Sequence, residues 1–394
     1  MQANYNFYEV NNRKNTNSAK WDLLAEKHGR DDLIHLGVAD MDFHSPKPII
    51  DAFQKVVDHK IFGYIGISEG YYTSIQTWIK KQVGLDIPKE WIVYCPRINM
   101  ASSISVDSLT DANAKVIINS PTYSPLKESV KKNKRGLIKN PLILKDGKFV
   151  MDFDYLESVV DKDTQMFILC NPDNPSGRAW SKEELDQLAD FCKKHDLILF
   201  SDEIHADMVA EGAKIHSTLS LGPDLLDRLV YANSPTKTFN IPGVIISYMI
   251  IPNQELRSKV EKTIETVGMK DPNIFSVPAL EAAYNYCDDW LIDVRKYIDE
   301  NESFVRKYLA DNMKEFNVMP REGTYLLWID YSALDLSEEE LLHWFINEAN
   351  VEVYMGTNFG REGLGYIRVN IATSRKLLEE ALDRMKNAYH KIKT

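Results

Sequence analysis

Cysteine is scarce in this chain: 394 residues hold four, Cys95, Cys170, Cys192 and Cys287, far apart and with no CxxC pair. Such spacing signals neither a zinc site nor a disulfide framework, no metal is expected, and reduced cytosolic thiols are the simplest reading. Long apolar runs are missing too. The longest, residues 244–251, is interrupted by Ser247 and is too short to cross a bilayer, and the polar start MQANYNFYEVNNRKN lacks the apolar core of a signal peptide. A cytoplasmic location is therefore expected, with no membrane segment. Basic runs are also lacking, and the formal net charge is −11, so nucleic acid and anionic membranes, which demand clustered Lys and Arg, are poor partners. Small molecules fit better.

What is present is an ordinary globular composition, 44% hydrophobic and 27% charged, over a length that suggests two domains. Between about residues 90 and 250, short apolar runs (116–119, 166–170, 197–201, 229–232 and 245–251) alternate with amphipathic stretches, the pattern of a parallel sheet covered by helices. In SKEELDQLADFCKKHD, Ser181 is a helix N-cap with Glu184 three residues on and apolar Leu185, Leu188 and Phe191 at helical spacing. After residue 288 the texture becomes a long charged helix, a strand at 325–331, a helix from Ser337, a strand ending at Val369 and a helix from Arg375. That is a smaller α/β unit.

Four strand ends carry chemistry. LILFSDEIHAD delivers Asp202 and Glu203 at the carboxyl edge, where open parallel sheets bind ligands, although Asp202 as a turn cap explains this segment alone equally well. YANSPTKTFNIPG sets Lys237 among Ser234, Thr236 and Thr238, hydroxyls suited to a phosphate; a lone loop lysine is usually solvated, yet this one follows Asp202 by a single strand unit. ILCNPDNPSGRAW offers Asn171 and Asn174 in a Pro-punctuated turn, and INSPTYSP presents Tyr123 just past a strand, a ring that in isolation reads as packing. Together they put an acid, a lysine, an amide and an aromatic ring at one edge of one sheet.

In this set the sequence resembles the fold-type I pyridoxal phosphate (PLP) enzymes of the aspartate aminotransferase superfamily, class I/II, and within it the cystathionine β-lyase, or C-S lyase, branch of MalY/PatB type. The match runs nearly end to end through NSAKWD, VADMDF, GYIGISEGYY, NSPTYSP, LCNPDNPSGRAW, SDEIHAD, PTKTFNIPG, GTYLLWID and YIRVNIA. The resemblance implies a large domain, 46–288, with a mainly parallel seven-stranded sheet, a small α/β domain, 289–394, and residues 1–45 joining the small one.

It also implies pyridoxal 5'-phosphate as cofactor, with Lys237 forming the Schiff base, Asp202 keeping the pyridine nitrogen protonated, Asn174 donating to the ring hydroxyl and Tyr123 stacking on the ring. The phosphate is expected on backbone N–H groups at Ile98 and Asn99 and on Ser234, with Tyr64 reaching it from the partner subunit of a homodimer. Arg368 is expected to grip the substrate carboxylate through a bidentate pair, beside Val38, Asn174 and the packing residues Tyr325 and Trp328; a strand arginine paired at the surface is the alternative. His205 approaches the cofactor ring oxygen or serves as a structural histidine.

Three positions depart from relatives: Arg97 where glycine is associated, Asp173 where the lyase branch has histidine, and Ile245 where many aminotransferases carry arginine. The last, with VADMDF, KTFN and GTYLLWID, favours a β-lyase that releases a thiol, pyruvate and ammonia from a sulfur amino acid. An aminotransferase uses the same residues and is the runner-up. A PLP-binding regulator is a third reading, weakened by the retained Lys237 and Arg368 and by the lack of a spare N-terminal module.

Overall fold

The computed structural model describes residues 5–392. Among them, seven strands form the principal sheet: β1 (Ile92–Cys95), β2 (Lys115–Ser120), β3 (Gly136–Pro141), β4 (Thr164–Cys170), β5 (Ile198–Asp202), β6 (Leu229–Asn233) and β7 (Ser247–Ile250), in the order β1-β7-β6-β5-β4-β2-β3. The apolar runs are continuous rather than alternating because both faces are covered. Period-two geometry divides them: Val116, Ile118, Met166 and Ile168 enter one core cluster, while Ile117, Phe167 and Leu169 enter the other.

Six strands are mutually parallel, and β7 runs antiparallel to both neighbours, β1 and β6. The apolar run at 245–251 is thus shorter as a strand than its pattern suggests, because Ile245 turns into the left-handed region (φ 60°) and pairing starts at Ser247. A β-branched residue is seldom found there.

Helices cover the sheet. They include α1 (Ile98–Leu109), α2 (Ser124–Lys132) and α3 (Lys182–Lys194), the last opened by the full Ser181–Glu184 capping box. A single turn, α4 (Pro235–Thr238), follows β6. The long helix α5 (Asp288–Asn312) leads to an antiparallel four-stranded sheet of β8 (Asn317–Val318), β9 (Leu326–Asp330), β10 (Tyr354–Met355) and β11 (Tyr366–Asn370), ordered β8-β9-β11-β10. Helix α6 (Glu338–His343) starts at Ser337 with a second capping box, and α7 (Arg375–Ala388) packs on α5. Near the start of the chain, Ile34–His35 pairs in parallel with Val351–Glu352. No helix of the described residues is long and apolar enough to cross a membrane.

Candidate active site

The carboxyl edges of β1, β2, β4, β5 and β6 converge on a cavity of about 720 Å³ whose far wall is built by β10, β11 and the segment after Gly37. Val38, Ile98, Asn99, Tyr123, Asn174, Asp202, His205, Ser234, Lys237 and Arg368 all line it. Tyr64 does not: its side chain is fully exposed and away from the cavity of its own chain.

Lys237 owes its position to the turn α4, where Pro235 presets the backbone and the Ser234 hydroxyl accepts from the Thr236 N–H at 3.1 Å. The turn sends successive side chains opposite ways. The Lys237 ammonium enters the cavity and donates to the Ala39 carbonyl at 2.5 Å, whereas Thr238 points away and donates to Asp207 at 2.8 Å. Thr238 is therefore no phosphate ligand. The Ser234 hydroxyl is committed as well, donating to the Ile246 carbonyl at 2.5 Å and exchanging a 2.7 Å bond with Thr236. Backbone N–H groups of Ile98 and Asn99, in the first turn of α1 where no side chain caps the helix, remain as anion donors.

Burial governs the electrostatics. It lowers Lys237 to about 8, with Asp40 pushing back upward, Arg368 lowering it further and Asp202 raising it. It raises Asp202 to about 7 against the hydrogen bond that its carboxylate accepts from the Ile204 N–H at 3.1 Å. Glu203 faces elsewhere, accepting from Thr218 and Ser201. His205 is pushed well below its ordinary value by burial and is neutral; its Nδ1 has no partner among the described residues, and its ring meets Tyr325 edge-on at 5.6 Å. Tyr123 is raised by burial, opposed by a hydrogen bond with Asn99.

Arg368 is fully buried on β11. One terminal nitrogen donates to Asn174 Oδ1 and the other to the Gly37 carbonyl, both at 2.7 Å, while Nε has no partner among the described residues. Its guanidinium lies 4.6 Å from the Phe359 ring and 5.0 Å from the Tyr354 ring. Burial lowers it to about 10, which leaves it charged at neutral pH. The surface-paired alternative does not hold, since the side chain is inside the molecule and no described carboxylate pairs with it. Trp328 is its cross-strand neighbour and stacks on Tyr366, and the Tyr325 hydroxyl donates to the Ala39 carbonyl at 3.0 Å.

The departures resolve differently. Asp173 does not line the cavity; its carboxylate accepts from the Ser176 N–H and hydroxyl within its own turn. Arg97 and Ile245 both line it. Reading the sequence missed Tyr354, Phe359 and the Ala39 carbonyl, because stacking partners and backbone acceptors leave no motif.

A model of the aminotransferase class I and II family matches residues 31–385, and the chain belongs to that family. It is 36% identical to the cystathionine beta-lyase PatB of Bacillus subtilis (strain 168), over 97% of this chain and 99% of that protein. Among solved structures, a PLP-bound, provisionally named aminotransferase of Clostridium difficile 630 superposes with a TM-score of 0.95 at 40% identity, covering 98% of this chain and 100% of that one. Cystalysin of Treponema denticola, which contains pyridoxal 5'-phosphate, superposes with the same TM-score at 33% identity, covering 98% and 99%.

Proposed function

We propose that the chain is a PLP-dependent carbon–sulfur β-lyase that cleaves cystathionine or cysteine-type L-amino acids to pyruvate, ammonia and a thiol. One observation carries the reading: Asp202 and Arg368 are buried and Lys237 half-buried around one cavity, and none of them is ion-paired among the described residues. Unpaired buried charge is expensive, so the three groups fit a ligand that brings a carbonyl carbon, a basic ring nitrogen and a carboxylate.

When bound, PLP supplies an electron sink for the pair released at the substrate Cα. Asp202 keeps a proton on the ring nitrogen. Lys237 acts as nucleophile and then carries the Cα proton; with its pKa lowered to about 8, ~9% is neutral at pH 7, far more than for a solvated lysine. Asn174 spends its oxygen on Arg368, which leaves its amide N–H₂ to donate to the ring hydroxyl. Tyr123 covers the ring, the N–H groups of Ile98 and Asn99 take the phosphate, and Arg368 holds the substrate carboxylate beside Val38. Lys237 would hold the Cα proton while the electron pair left behind expels the thiolate from Cβ, and one water would convert the remaining three-carbon enamine to pyruvate and ammonia.

An aminotransferase would use the same groups and return the proton to the cofactor carbon. The test is a product assay with cystathionine, cysteine and a panel of keto acids. Pyruvate and thiol without keto acid support the lyase; a larger kcat/KM for transamination of an ordinary amino acid overturns it. The proposal extends to a cytoplasmic homodimer in which the exposed Tyr64 reaches the partner's phosphate site. It also includes the domain division at 45 and 288, supported by the pairing of Ile34–His35 with Val351–Glu352.

A further inference from the structure

Lys127 is a buried lysine on α2 that the chemistry above does not use. No carboxylate pairs with it among the described residues; its ammonium donates to the carbonyl of Phe359, and the Thr122 N–H donates to the same oxygen at 3.0 Å. The Ser124 hydroxyl takes the neighbouring carbonyl of Asn358, and Ser120 bonds Glu362. The 3₁₀ turn Gly356–Phe359, which follows β10 of the smaller sheet, is thus fastened, carbonyl by carbonyl, to the elements that carry Tyr123. Backbone shape makes this approach possible. Gly360 has φ 139°, and a Cβ there would lie 2.5 Å from the Ser120 hydroxyl and 3.5 Å from the Lys127 ammonium.

What the fastening holds is the Phe359 ring, 4.6 Å from the guanidinium of Arg368 and beside the Tyr354 ring, which lies 5.0 Å from the same guanidinium and 6.3 Å from Phe359. The two terminal nitrogens of Arg368 are taken by Asn174 and Gly37, so the ring faces set the tilt of its plane and with it the direction of Nε, which has no partner among the described residues. A guanidinium is planar and stacks on ring faces, and its grip on a carboxylate depends on that plane. A neutral donor would satisfy the Phe359 carbonyl. A buried lysine costs more, and it adds a strong, charge-assisted hydrogen bond.

We propose that Lys127 is a positioning residue for substrate binding: by anchoring Phe359 it fixes the orientation in which Arg368 meets the substrate carboxylate. This rests on the reading that Arg368 takes that carboxylate. The selectivity of the site for a carboxylate over the matching amide then depends on a lysine that touches neither substrate nor cofactor.

The test titrates holoenzyme spectroscopically with L-alanine and with L-alaninamide, which differ only at the group Arg368 is expected to read. Lys127→Met and Phe359→Leu should each weaken L-alanine by about tenfold, the scale of one lost cation–ring contact, and leave L-alaninamide within about twofold. KM for a thioether amino acid should rise likewise, with kcat little changed. Equal weakening of both probes, or no change in either, overturns the proposal. Should Lys127→Met fail to fold, Phe359→Leu carries the same test, with Lys127→Gln as the milder change at the anchor. Arg368→Ala separates the two levels: an unchanged alanine-to-alaninamide ratio there overturns the role of Arg368 itself, whereas a changed ratio there with none in Lys127→Met or Phe359→Leu overturns only the anchor.

Discussion

Arg368, on the smaller sheet, donates to Asn174 Oδ1, on the turn after β4 of the larger sheet, at 2.7 Å. A neutral amide is the acceptor. It orients the guanidinium without cancelling its charge, and the charge stays available to a ligand.

Asn174→Asp would replace that amide by a carboxylate of nearly the same shape and supply a permanent partner for Arg368. Substrate carboxylates would then have to displace it. KM for every amino-acid substrate is expected to rise on the order of ten- to a hundredfold, the range of one charged hydrogen bond. Steady-state kinetics checks this, and an unchanged KM would mean that Arg368 is not the substrate's counter-charge.

Lys237 is the lysine of α4, lines the cavity, and acts on Asp202 through its charge. Protein purified with PLP is expected to be yellow, and borohydride should fix the cofactor to Lys237. Peptide mapping that finds the reduced adduct on another lysine ends the assignment. Lys237→Ala should lose ~10²–10⁴-fold in turnover, the usual worth of a positioned acid–base group.

Burial raises Asp202 to about 7 from an ordinary 3.8. Between those values the folded, cofactor-free chain keeps a proton that the unfolded chain has lost, so the contribution of Asp202 to stability falls as pH rises from about 4 to about 7. Lys237, lowered from 10.5 to about 8, has the opposite slope and contributes more as pH rises from about 8 to about 10.5. Asp202→Asn keeps the shape and removes the ionisation. Its Tm in the cofactor-free form should gain on the unsubstituted chain between pH 4 and 7 and hold a constant lead above 7. A difference that does not vary with pH would show that Asp202 titrates as a solvated acid.

Five strands of the large sheet were legible because burial on both faces writes them as continuous apolar runs, and α3 because Ser181 and Glu184 spell its cap. Strand direction leaves no such mark, and β1, the half-exposed edge strand β3 and the reversal of β7 were not foreseen; the left-handed Ile245 carries no glycine to announce it. Within the site, charged and amide groups at strand ends could be read from the sequence. Thr238 was misread because only the geometry of a single helical turn tells inward from outward. Phe359, Tyr354 and Lys127 were invisible for another reason: they act through ring faces and a backbone carbonyl some 230 residues away, the separation of Lys127 from Phe359 being 232.

Gly360→Ala is expected to destabilise the protein by about 1–3 kcal/mol, from the strain of a left-handed side chain and the clash with Ser120. Chemical denaturation of the cofactor-free form measures it. A loss below about 0.5 kcal/mol, typical of neutral surface changes, would mean that the junction yields easily.

The pairing of Ile34 with Val351 has a consequence for the time course of synthesis. At about 5–20 residues per second, the residues beside Val38 wait roughly 15–60 s before their partner strand is made, and Arg368 emerges later still. The residues proposed to hold the cofactor, from Ile98 to Lys237, are translated well before Arg368, which is proposed to hold the substrate. On that assignment, the nascent chain carries every residue proposed to hold the cofactor before it carries the one proposed to hold the substrate.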